Sequence, residues 1–304
     1  MSKYLVTGAS GFVGLRLLEC LKQSNSYVRI LSRTKIQSYD FIDCDFEKDE
    51  IPASAFHSID TVFHLAGIAH DISGNVKSNS IYKLVNVDVS VDLAKKAALA
   101  GVKKFIYISS VKAGGKAKKN IEMNESSKIE PDDIYGITKR DAELKLLDIG
   151  SKLDMQVSII RPSLLYGPNM KGNLNSMMSA IKSGWFPPLP RINNKRSLVH
   201  VDDLVRAIIF IATNEQAKSE IYILTDGKPH SSREIYEVMC NILGKSIPYW
   251  SMPIICFRLI SFINHKYARR VDKLLSNEHY SSKKIQSLGF KPKFSLKDMN
   301  ETSF

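Results

Sequence analysis

Residues 4–14 read Tyr-Leu-Val-Thr-Gly-Ala-Ser-Gly-Phe-Val-Gly, a short apolar run that leads into three glycines, each separated from the next by two residues. We expect Gly8 to form the tight turn after a strand, Gly11 to let the backbone approach a pyrophosphate, and Gly14 to let the next helix pack closely on the strand. The amino end of that helix offers unpaired N–H groups and the positive end of its dipole to phosphate. The stretch therefore predicts a dinucleotide-binding β–α unit at the start of the chain.

Strand-like and helical segments alternate through the first half of the chain. Helical patterns extend over Phe12–Gln23, Ile81–Ala100 and Tyr135–Asp148. The strand-like runs are Lys3–Thr7, Tyr27–Leu31, Phe41–Cys44, Thr61–Leu65, Lys104–Ser109 and Gln156–Arg161. This alternation predicts an α/β protein with a doubly wound parallel sheet, the Rossmann fold. The nearly continuous apolar runs are typical of strands that helices cover on both faces.

The second half of the chain has a less regular pattern, interrupted by glycine and proline. We predict a dinucleotide-binding domain over residues 1–165, to which residues 197–225 return as strand, helix and strand. A smaller, mostly helical substrate lobe would comprise residues 166–196 and 226–304. The site is then expected in the cleft at the carboxyl ends of the strands.

The chain has 304 residues and a formal net charge of +12, with a sequence pI of about 9.4. Such a charge attracts anions. The basic residues are scattered, however, and no stretch interleaves them with aromatic side chains, so no nucleic-acid partner is predicted. The four cysteines lie far apart in the sequence, and neither a metal site nor a redox pair is predicted. With no signal peptide, they indicate a cytoplasmic location.

The most apolar stretch is Pro253–Ile263, which is too short to cross a bilayer and contains Arg258. We expect it to form a helix that covers the second lobe. Peripheral membrane contact, assisted by Lys266, Arg269 and Arg270, is the alternative.

Tyr135 and Lys139 are four residues apart at the start of a predicted helix, so their side chains share one face. A nearby ammonium favours the phenolate, and a tyrosine with a lowered pKa is suited to acid–base catalysis. The strand 106–108 ends in Ser109 and Ser110, whose hydroxyls could hydrogen-bond a substrate oxygen beside the tyrosine. The structural alternative is a surface tyrosine and lysine, with serines that cap the end of a strand.

The glycine pattern, the serine strand and Tyr-x-x-x-Lys together make the chain resemble the extended short-chain dehydrogenase/reductase family of NAD-dependent epimerases and dehydratases. The resemblance extends over nearly the whole chain and implies catalysis by Ser110, Tyr135 and Lys139. Lys139 would orient a ribose and lower the pKa of Tyr135. The cofactor-binding residues that the resemblance implies are Gly8, Ser10, Gly11, Phe12, Val13, Gly14, Ser32, Arg33, Asp45, Phe46, Leu65, Ala66, Gly67, Asn86, Tyr135, Lys139 and Pro162.

The same resemblance implies a nucleotide-sugar substrate. Asn173 and Leu174 are similar to the segment that holds the nucleotide diphosphate in this family. Arg196 is similar to the arginine that clamps it, and a guanidinium fork suits a diphosphate. His70 and Lys112 are further candidates for sugar contacts, and Ser110 would also meet the substrate.

Differences between the subclasses of this family reduce the number of reactions that the chain could catalyse. Where sugar 4,6-dehydratases have Asp-Glu after the catalytic hydroxyl, this chain has Val111 and Lys112, and no cysteine lies beside the serine strand as in epimerase-reductases of the fucose-synthase type. A sugar 4-epimerase or a 4-keto-reductase remains.

The chain also resembles a bacterial UDP-glucose 4-epimerase-like subgroup that includes UDP-N-acetylquinovosamine dehydrogenases. The resemblance lies in Ser109–Lys112, Lys171–Asn173 and Lys195–Val199. This resemblance implies hydride transfer at C4 of a UDP-linked sugar for surface polysaccharide, such as the O-antigen of lipopolysaccharide. The leading reaction is reduction of a UDP-4-keto-6-deoxy-N-acetylhexosamine.

The end of the predicted second strand bears on the choice of cofactor. NAD enzymes usually have Asp or Glu there for the ribose 2′-hydroxyl, whereas this chain has Ser32 and Arg33. A hydroxyl and a guanidinium favour NADP(H) over NAD(H), and hence a reductase over an epimerase with tightly bound NAD.

Two further functions are alternatives to an enzyme acting on nucleotide sugars: a reductase of uncharged ketones and a dinucleotide sensor without catalysis. The family resemblance also implies a homodimer, and His200–Asp203 is similar to a family run for which we expect a structural role.

Overall fold

The computed structural model describes residues 1–69, 79–117, 121–263 and 265–300. The strands in these ranges are β1 (Lys3–Thr7), β2 (Tyr27–Ser32), β3 (Asp40–Asp43), β4 (Thr61–His64), β5 (Lys104–Ile108), β6 (Gln156–Pro162), β7 (Leu164–Tyr166), β8 (Arg196–His200), β9 (Ile221–Leu224) and β10 (Pro229–His230). Seven of them form a parallel sheet in the order β3–β2–β1–β4–β5–β6–β9. The predicted Rossmann fold is confirmed. Its strand order reverses between β1 and β4, which is where such sheets bind their ligands.

The helices in the same ranges flank this sheet or build the second lobe. They are α1 (Phe12–Gln23), α2 (Asn79–Lys83), α3 (Val89–Leu99), α4 (Ile134–Lys152), α5 (Asn173–Lys182), α6 (Val201–Thr213), α7 (Ser232–Ile242), α8 (Ile254–Ile263), α9 (His265–Leu275) and α10 (Lys283–Ser287). Val6 of β1 enters the core beneath α1 and α6, and its neighbour Leu5 enters the core beneath α3 and α4. Both faces of the sheet are therefore buried, which accounts for the continuous apolar runs of its strands.

The segment predicted as one helix over Ile81–Ala100 is interrupted. Leu84–Asp88 form a π-helical turn between α2 and α3. Turns of this kind are frequent at functional sites because they re-aim one side chain. Here the turn contains Asn86, which is fully buried.

The second lobe has its own core. β7, β8 and β10 form a separate sheet in the order β10–β8–β7. This sheet borders a core shared by α5, α7, α8 and α9, in which Met177, Leu198 and Phe257 are buried. The mostly helical character expected for this lobe agrees with the structure.

Two expectations about the lobe boundaries are wrong. β8 was expected in the main sheet, but β9 already occupies the free edge of β6, with Ile159 opposite Ile221, and β8 pairs with β7 instead. The carboxyl-terminal part was expected wholly in the substrate lobe, but Ile285 and Phe290 enter the core of the dinucleotide-binding domain. They do so because α6 presents apolar side chains that need cover, and the Phe210 ring lies 5.5 Å from that of Phe290.

No helix in the described ranges has both the length and the apolar composition required to cross a membrane.

Candidate active site

The turn after β1 depends on two glycines. Gly8 has φ +68°, and a Cβ there would lie 2.6 Å from the backbone nitrogen of Ala66. A Cβ on Gly14 would lie 2.3 Å from the Gly8 carbonyl oxygen, so only glycine lets α1 sit this close to the strand. The Gly11 N–H donates to the Gly8 carbonyl at 3.0 Å and closes the turn. The loop therefore brings the amino end of α1 to the switch point of the sheet, as a pyrophosphate site requires.

The other predicted residues of this loop differ in what they can offer. Ser10 is exposed. Phe12 packs against the core of the substrate lobe and Val13 against the core beneath α1. Their side chains are thus committed to packing, and backbone N–H groups are what Phe12 and Val13 can give to a phosphate.

The residues predicted to bind the adenosine end of the dinucleotide lie at the end of β2 and just after β3. The Ser32 hydroxyl accepts a hydrogen bond from the Thr34 N–H at 3.0 Å and shapes the turn. The Arg33 guanidinium lies 3.8 Å from the Asp45 carboxylate and is two-thirds exposed. A hydrogen bond from the Glu47 N–H, with the nearby cations, holds the pKa of Asp45 below its usual value. Phe46 packs at the edge of the core beneath α3.

A buried histidine supports the end of β4. His64 Nδ1 lies 2.6 Å from the Thr7 hydroxyl, and Nε2 lies 2.8 Å from the Ser90 hydroxyl. Because the Ser90 hydroxyl donates to the Asn86 carbonyl, His64 must donate through Nε2 and accept through Nδ1. Burial, with a smaller contribution from Lys139, lowers the pKa of His64 to about 3, so the ring is neutral. The histidine thus has a structural role.

Asn86 links the loop after β4 to helix α4. Its Oδ1 accepts from the Ile68 N–H at 2.8 Å, and its Nδ2 donates to the Ile68 carbonyl at 3.1 Å and the Thr138 hydroxyl at 3.2 Å. The amide therefore holds the loop of Leu65, Ala66 and Gly67 in place. Any contribution of Asn86 to cofactor binding would therefore act through the position of that loop.

Ser110, Tyr135 and Lys139 meet at the carboxyl end of β5. Tyr135 and Ser110 are joined by a hydrogen bond between their side chains. Ser110 also accepts from the Lys112 N–H at 3.2 Å, which fixes the serine at the start of a short 3-10 turn. Ser109 instead is buried, and within the described ranges its hydroxyl has no hydrogen-bond partner. The structure thus brings Ser110, and not Ser109, to the tyrosine.

Lys139 is buried beside this pair. Its Nζ donates to the Ile108 carbonyl at 2.9 Å and lies 4.5 Å from the centre of the Tyr107 ring. A Cβ built on Gly67 would come within 3.2 Å of the same Nζ, so glycine is what leaves room for the ammonium there. The ammonium is therefore held between the Gly67 loop and the end of β5.

Two pKa shifts describe the charge of the site. Burial lowers the pKa of Lys139 to about 8. Burial also raises the pKa of Tyr135 to about 12, against the opposing effect of the hydrogen bond with Ser110. The expected lowering of the Tyr135 pKa by Lys139 is not found. The ammonium is directed to the Ile108 carbonyl, and burial dominates at the phenol. At neutral pH Tyr135 is thus a proton donor.

Three of the predicted substrate residues, Asn173, Leu174 and Arg196, line one cavity of about 200 Å³ in the second lobe, and Ser110 does not line it. Asn173 and Leu174 lie at the start of α5, and Arg196 lies at the start of β8. The remaining walls are mostly apolar and come from Leu164, Ser176, Met177, Ala180, Phe186, Ser232, Ile235, Lys273 and Leu274. An arginine with apolar neighbours suits a ligand that joins a phosphate to a flat or apolar group.

Arg196 is buried and only partly satisfied. Its Nη2 donates to the Glu278 carboxylate at 2.8 Å. Its Nε has no hydrogen-bond partner within the described ranges. Since a buried unpaired donor is costly, the free N–H indicates a site for a ligand acceptor.

Glu278 links Arg196 in this cavity to Lys112 in the 3-10 turn that follows Ser110, and the sequence analysis did not identify it. Its other carboxylate oxygen accepts from Lys112 at 2.9 Å, two residues after Ser110. Although burial disfavours its charge, Arg196, Lys112 and Lys273 keep the pKa of Glu278 below its usual value. The excess of cations over this one carboxylate leaves a positive field for an anionic substrate. Lys112, a predicted sugar contact, is thus committed to Glu278, while His70 lies outside the described residues.

The His200–Asp203 run has the structural role that we expected. The His200 ring accepts from the Asp202 N–H at 3.2 Å and stacks on Phe294 at 4.4 Å. Asp203 is fully buried and accepts from the N–H groups of Lys293 and Phe294 at 2.9–3.0 Å. The run therefore anchors the carboxyl-terminal segment on α6.

Pro162, which was predicted to bind the cofactor, is buried at the end of β6.

A glycine turn at the switch point, a buried lysine and a serine–tyrosine pair at the same edge of the sheet define an enzyme that works with a bound dinucleotide. The chain belongs to the NAD dependent epimerase/dehydratase family, whose profile matches residues 4–224.

Similar proteins cover nearly the full length of the chain. A UDP-glucose 4-epimerase of Vibrio cholerae is 32% identical over 306 residues, which are 97% of this chain and 92% of the relative. An N-acetyl-alpha-D-glucosaminyl-diphospho-ditrans,octacis-undecaprenol 4-epimerase of Escherichia coli O157:H7 is 29% identical over 96% of this chain and 91% of its own length. The structure of a UDP-glucose 4-epimerase of Thermotoga maritima has a TM-score of 0.80 at 22% identity, with 99% and 97% of the two chains covered, and shares the fold.

Proposed function

We propose that the protein transfers hydride at C4 of a UDP-linked sugar, in the direction that reduces a UDP-4-keto-6-deoxy-N-acetylhexosamine. The main support for this proposal is the connection between the Ser110–Tyr135 pair and the cavity that contains Arg196. Lys112, Glu278 and Arg196 form a continuous chain of ion pairs from the 3-10 turn after Ser110 to the cavity. A substrate whose diphosphate pairs with Arg196 would therefore extend its sugar toward Ser110 and Tyr135.

The chain's own residues would carry the proton. The glycine turn after β1 and Lys139 would hold a reduced nicotinamide dinucleotide, which would supply a hydride for C4 and be oxidised as the carbonyl carbon is reduced. Ser110 would hydrogen-bond the carbonyl oxygen, and Tyr135 would donate the phenolic proton to it, giving the alcohol. A phenol with a pKa of about 12 is in the form that this reduction consumes. Lys139, whose ammonium donates to the Ile108 carbonyl in the structure, would bind a ribose of the dinucleotide.

UDP alone tests the class of substrate. Titration of the protein with UDP should give saturable binding, because Arg196 and Lys273 offer charge to a diphosphate. Arg191→Gln, a change at an exposed arginine outside the cavity, should leave this binding unchanged, whereas Arg196→Gln should weaken it. Equal binding by both variants, or none by the unaltered protein, would favour an uncharged ketone substrate.

A sugar 4-epimerase is the second candidate. The relatives from Vibrio cholerae and Escherichia coli both carry that activity in their names, the first on UDP-glucose and the second on a sugar linked by diphosphate to undecaprenol. Epimerisation would use the same serine, tyrosine and lysine with a cofactor that stays bound. Both candidates place a sugar diphosphate against Arg196, and they differ in whether reduced cofactor is consumed.

Arg33 supports NADP(H) as the preferred cofactor, because its exposed guanidinium could pair with a 2′-phosphate. Arg33→Asp should lower kcat/KM for NADPH by about 30-fold and change that for NADH by less than about threefold. Lys35→Asp, at a nearby exposed cation, provides the same change of charge. If both variants lose NADPH preference equally, Arg33 does not contact the phosphate.

The rate should fall above pH 8, because Lys139 with its pKa of about 8 loses its ammonium there. Tyr135 at about 12 and His64 at about 3 do not titrate between pH 6 and 10, so kcat/KM should have one descending limb in this range. Stability behaves oppositely: the Lys139 pKa is lower in the folded state than its ordinary 10.5, so its contribution to the free energy of unfolding rises between pH 8 and 10.5. A pH–rate profile with circular dichroism separates the two. A rate that stays level to pH 9.5 contradicts the role of Lys139.

We also propose a cytoplasmic homodimer that associates through α3 and α4. Ile137 and Leu144 lie two turns apart on α4 and are 47% and 60% exposed. Such a face is buried at low cost by a second copy. The double variant Ile137→Asp/Leu144→Asp should therefore elute as a monomer in size-exclusion chromatography, whereas Leu153→Asp should not. A double variant that elutes with the unaltered protein would exclude this interface.

A further inference from the structure

Helix α8 has large apolar side chains on its exposed face as well as on its buried face. Phe257 is buried in the core of the substrate lobe with 4% of its surface exposed. Ile255, Leu259 and Phe262 follow at spacings of four and three residues, so they share another face, and they are 63%, 61% and 84% exposed. A helix that only covered a core would carry polar residues on its outer face. We therefore expect the outer face of α8 to be covered by another molecule or by a lipid surface.

Three exposed aromatic residues lie in the segments that precede α8 and follow α5. Tyr249 and Trp250 immediately precede α8 and are 92% and 52% exposed, and Trp185, after α5, is 87% exposed. The Met252 N–H donates to the Pro188 carbonyl at 3.0 Å, which joins the two segments that carry them. We define the α8 surface as Trp185, Tyr249, Trp250, Ile255, Leu259 and Phe262. Tryptophan and tyrosine are enriched where an apolar phase meets water.

Cations accompany the α8 surface. Arg258 is exposed on the same helix, Lys182 is exposed at the end of α5, and Lys245 is exposed between α7 and α8. The chain as a whole has a net charge of +12. A second copy would bring like charges together across this surface, whereas an anionic surface would complement them. Apolar, aromatic and cationic groups in one place are typical of a segment that lies in the headgroup region of a bilayer.

We propose that the α8 surface docks the protein peripherally on an anionic lipid bilayer. With ten residues, α8 is about 15 Å long, half of what the hydrocarbon core requires, so it would lie in the interface and not cross it. Trp185 is followed by Phe186, which lines the substrate cavity. Docking thus places the cavity beside the lipid headgroups. The proposal does not depend on which carrier holds the sugar diphosphate.

Co-sedimentation with lipid vesicles tests this docking. The full chain should pellet with vesicles of phosphatidylcholine and phosphatidylglycerol at 70:30, and about tenfold less with pure phosphatidylcholine or in high salt. Leu259→Ser/Phe262→Ser should reduce the partition coefficient by about 30-fold or more. Leu15→Ser, which removes a 47% exposed leucine from α1 in the other domain, is the matched control and should bind as the unaltered protein does.

Three results would overturn the proposal. The unaltered protein could fail to pellet with anionic vesicles, or the double variant could bind as well as Leu15→Ser. Alternatively, size-exclusion chromatography could show self-association that Leu259→Ser/Phe262→Ser abolishes, without vesicle binding, which would make the surface an interface between copies. Turnover of a UDP-linked substrate in vesicle-free buffer should be the same in the double variant. Failure of docking is thereby distinguished from failure of the proposed reaction.

Discussion

Replacing Tyr135 by phenylalanine should lower kcat by about 10³-fold, within the range that a general acid contributes. The phenol is hydrogen-bonded to Ser110, and burial raises its pKa to about 12, so it is protonated at neutral pH and can donate to a substrate oxygen beside Ser110. The ring itself is retained in Tyr135→Phe, and the affinity for the dinucleotide should change by less than about twofold. Steady-state kinetics and a fluorescence titration with NADPH measure the two quantities.

A tyrosine away from the site provides the control for this experiment. The Tyr222 hydroxyl accepts from the Lys218 N–H at 2.9 Å near the start of β9. Tyr222→Phe removes a hydroxyl of the same kind and should leave kcat unchanged, even if the melting temperature falls. Activity in Tyr135→Phe equal to that in Tyr222→Phe would exclude the phenol as the proton donor.

Arg196→Gln should raise KM for the sugar nucleotide by about 100-fold, since charge-assisted hydrogen bonds to a phosphate are worth about 1.5–3 kcal/mol. It should also destabilise the fold, because Glu278 would lose one partner of a buried ion pair, a change that typically costs about 3–5 kcal/mol. The effect on KM and the effect on stability have different causes. Kinetics at several substrate concentrations and chemical denaturation measure them separately.

A second substitution separates these two effects. In Arg196→Gln/Glu278→Gln neither side chain is charged, so much of the lost stability should return while KM stays high. Glu278→Gln alone should raise KM only modestly, because Arg196 keeps its guanidinium. If the double variant recovers its KM together with its stability, Arg196 supports the fold and does not bind the diphosphate.

Local chemistry made much of the site predictable. A glycine that needs a positive φ, or a close approach of helix to strand, leaves a signal within a few residues, and Gly8 and Gly14 have these roles in the structure. The periodicities of strand and helix are also local. β1 and α1 begin and end where the sequence predicts, and β4 and β5 each end one residue earlier.

Features set by long-range packing were not predictable. Glu278 meets Lys112 and Arg196 across 166 and 82 residues of sequence, and no local pattern marks it. The partner of β8 depended on which strand occupied the edge of β6. The pKa of Tyr135 depended on its burial, which a spacing of four residues to Lys139 does not reveal. In each case the missing information was the surroundings that the whole fold creates.

The most direct test of C4 reduction is NADPH oxidation with UDP-4-keto-6-deoxy-N-acetylglucosamine, generated in place by a separate dehydratase. Our account predicts consumption of one NADPH per substrate and a single new 6-deoxy amino-sugar nucleotide. If no NADPH is consumed, and the purified protein carries bound NAD and interconverts C4 epimers of UDP-sugars, the reaction is epimerisation and the proposed reduction is wrong.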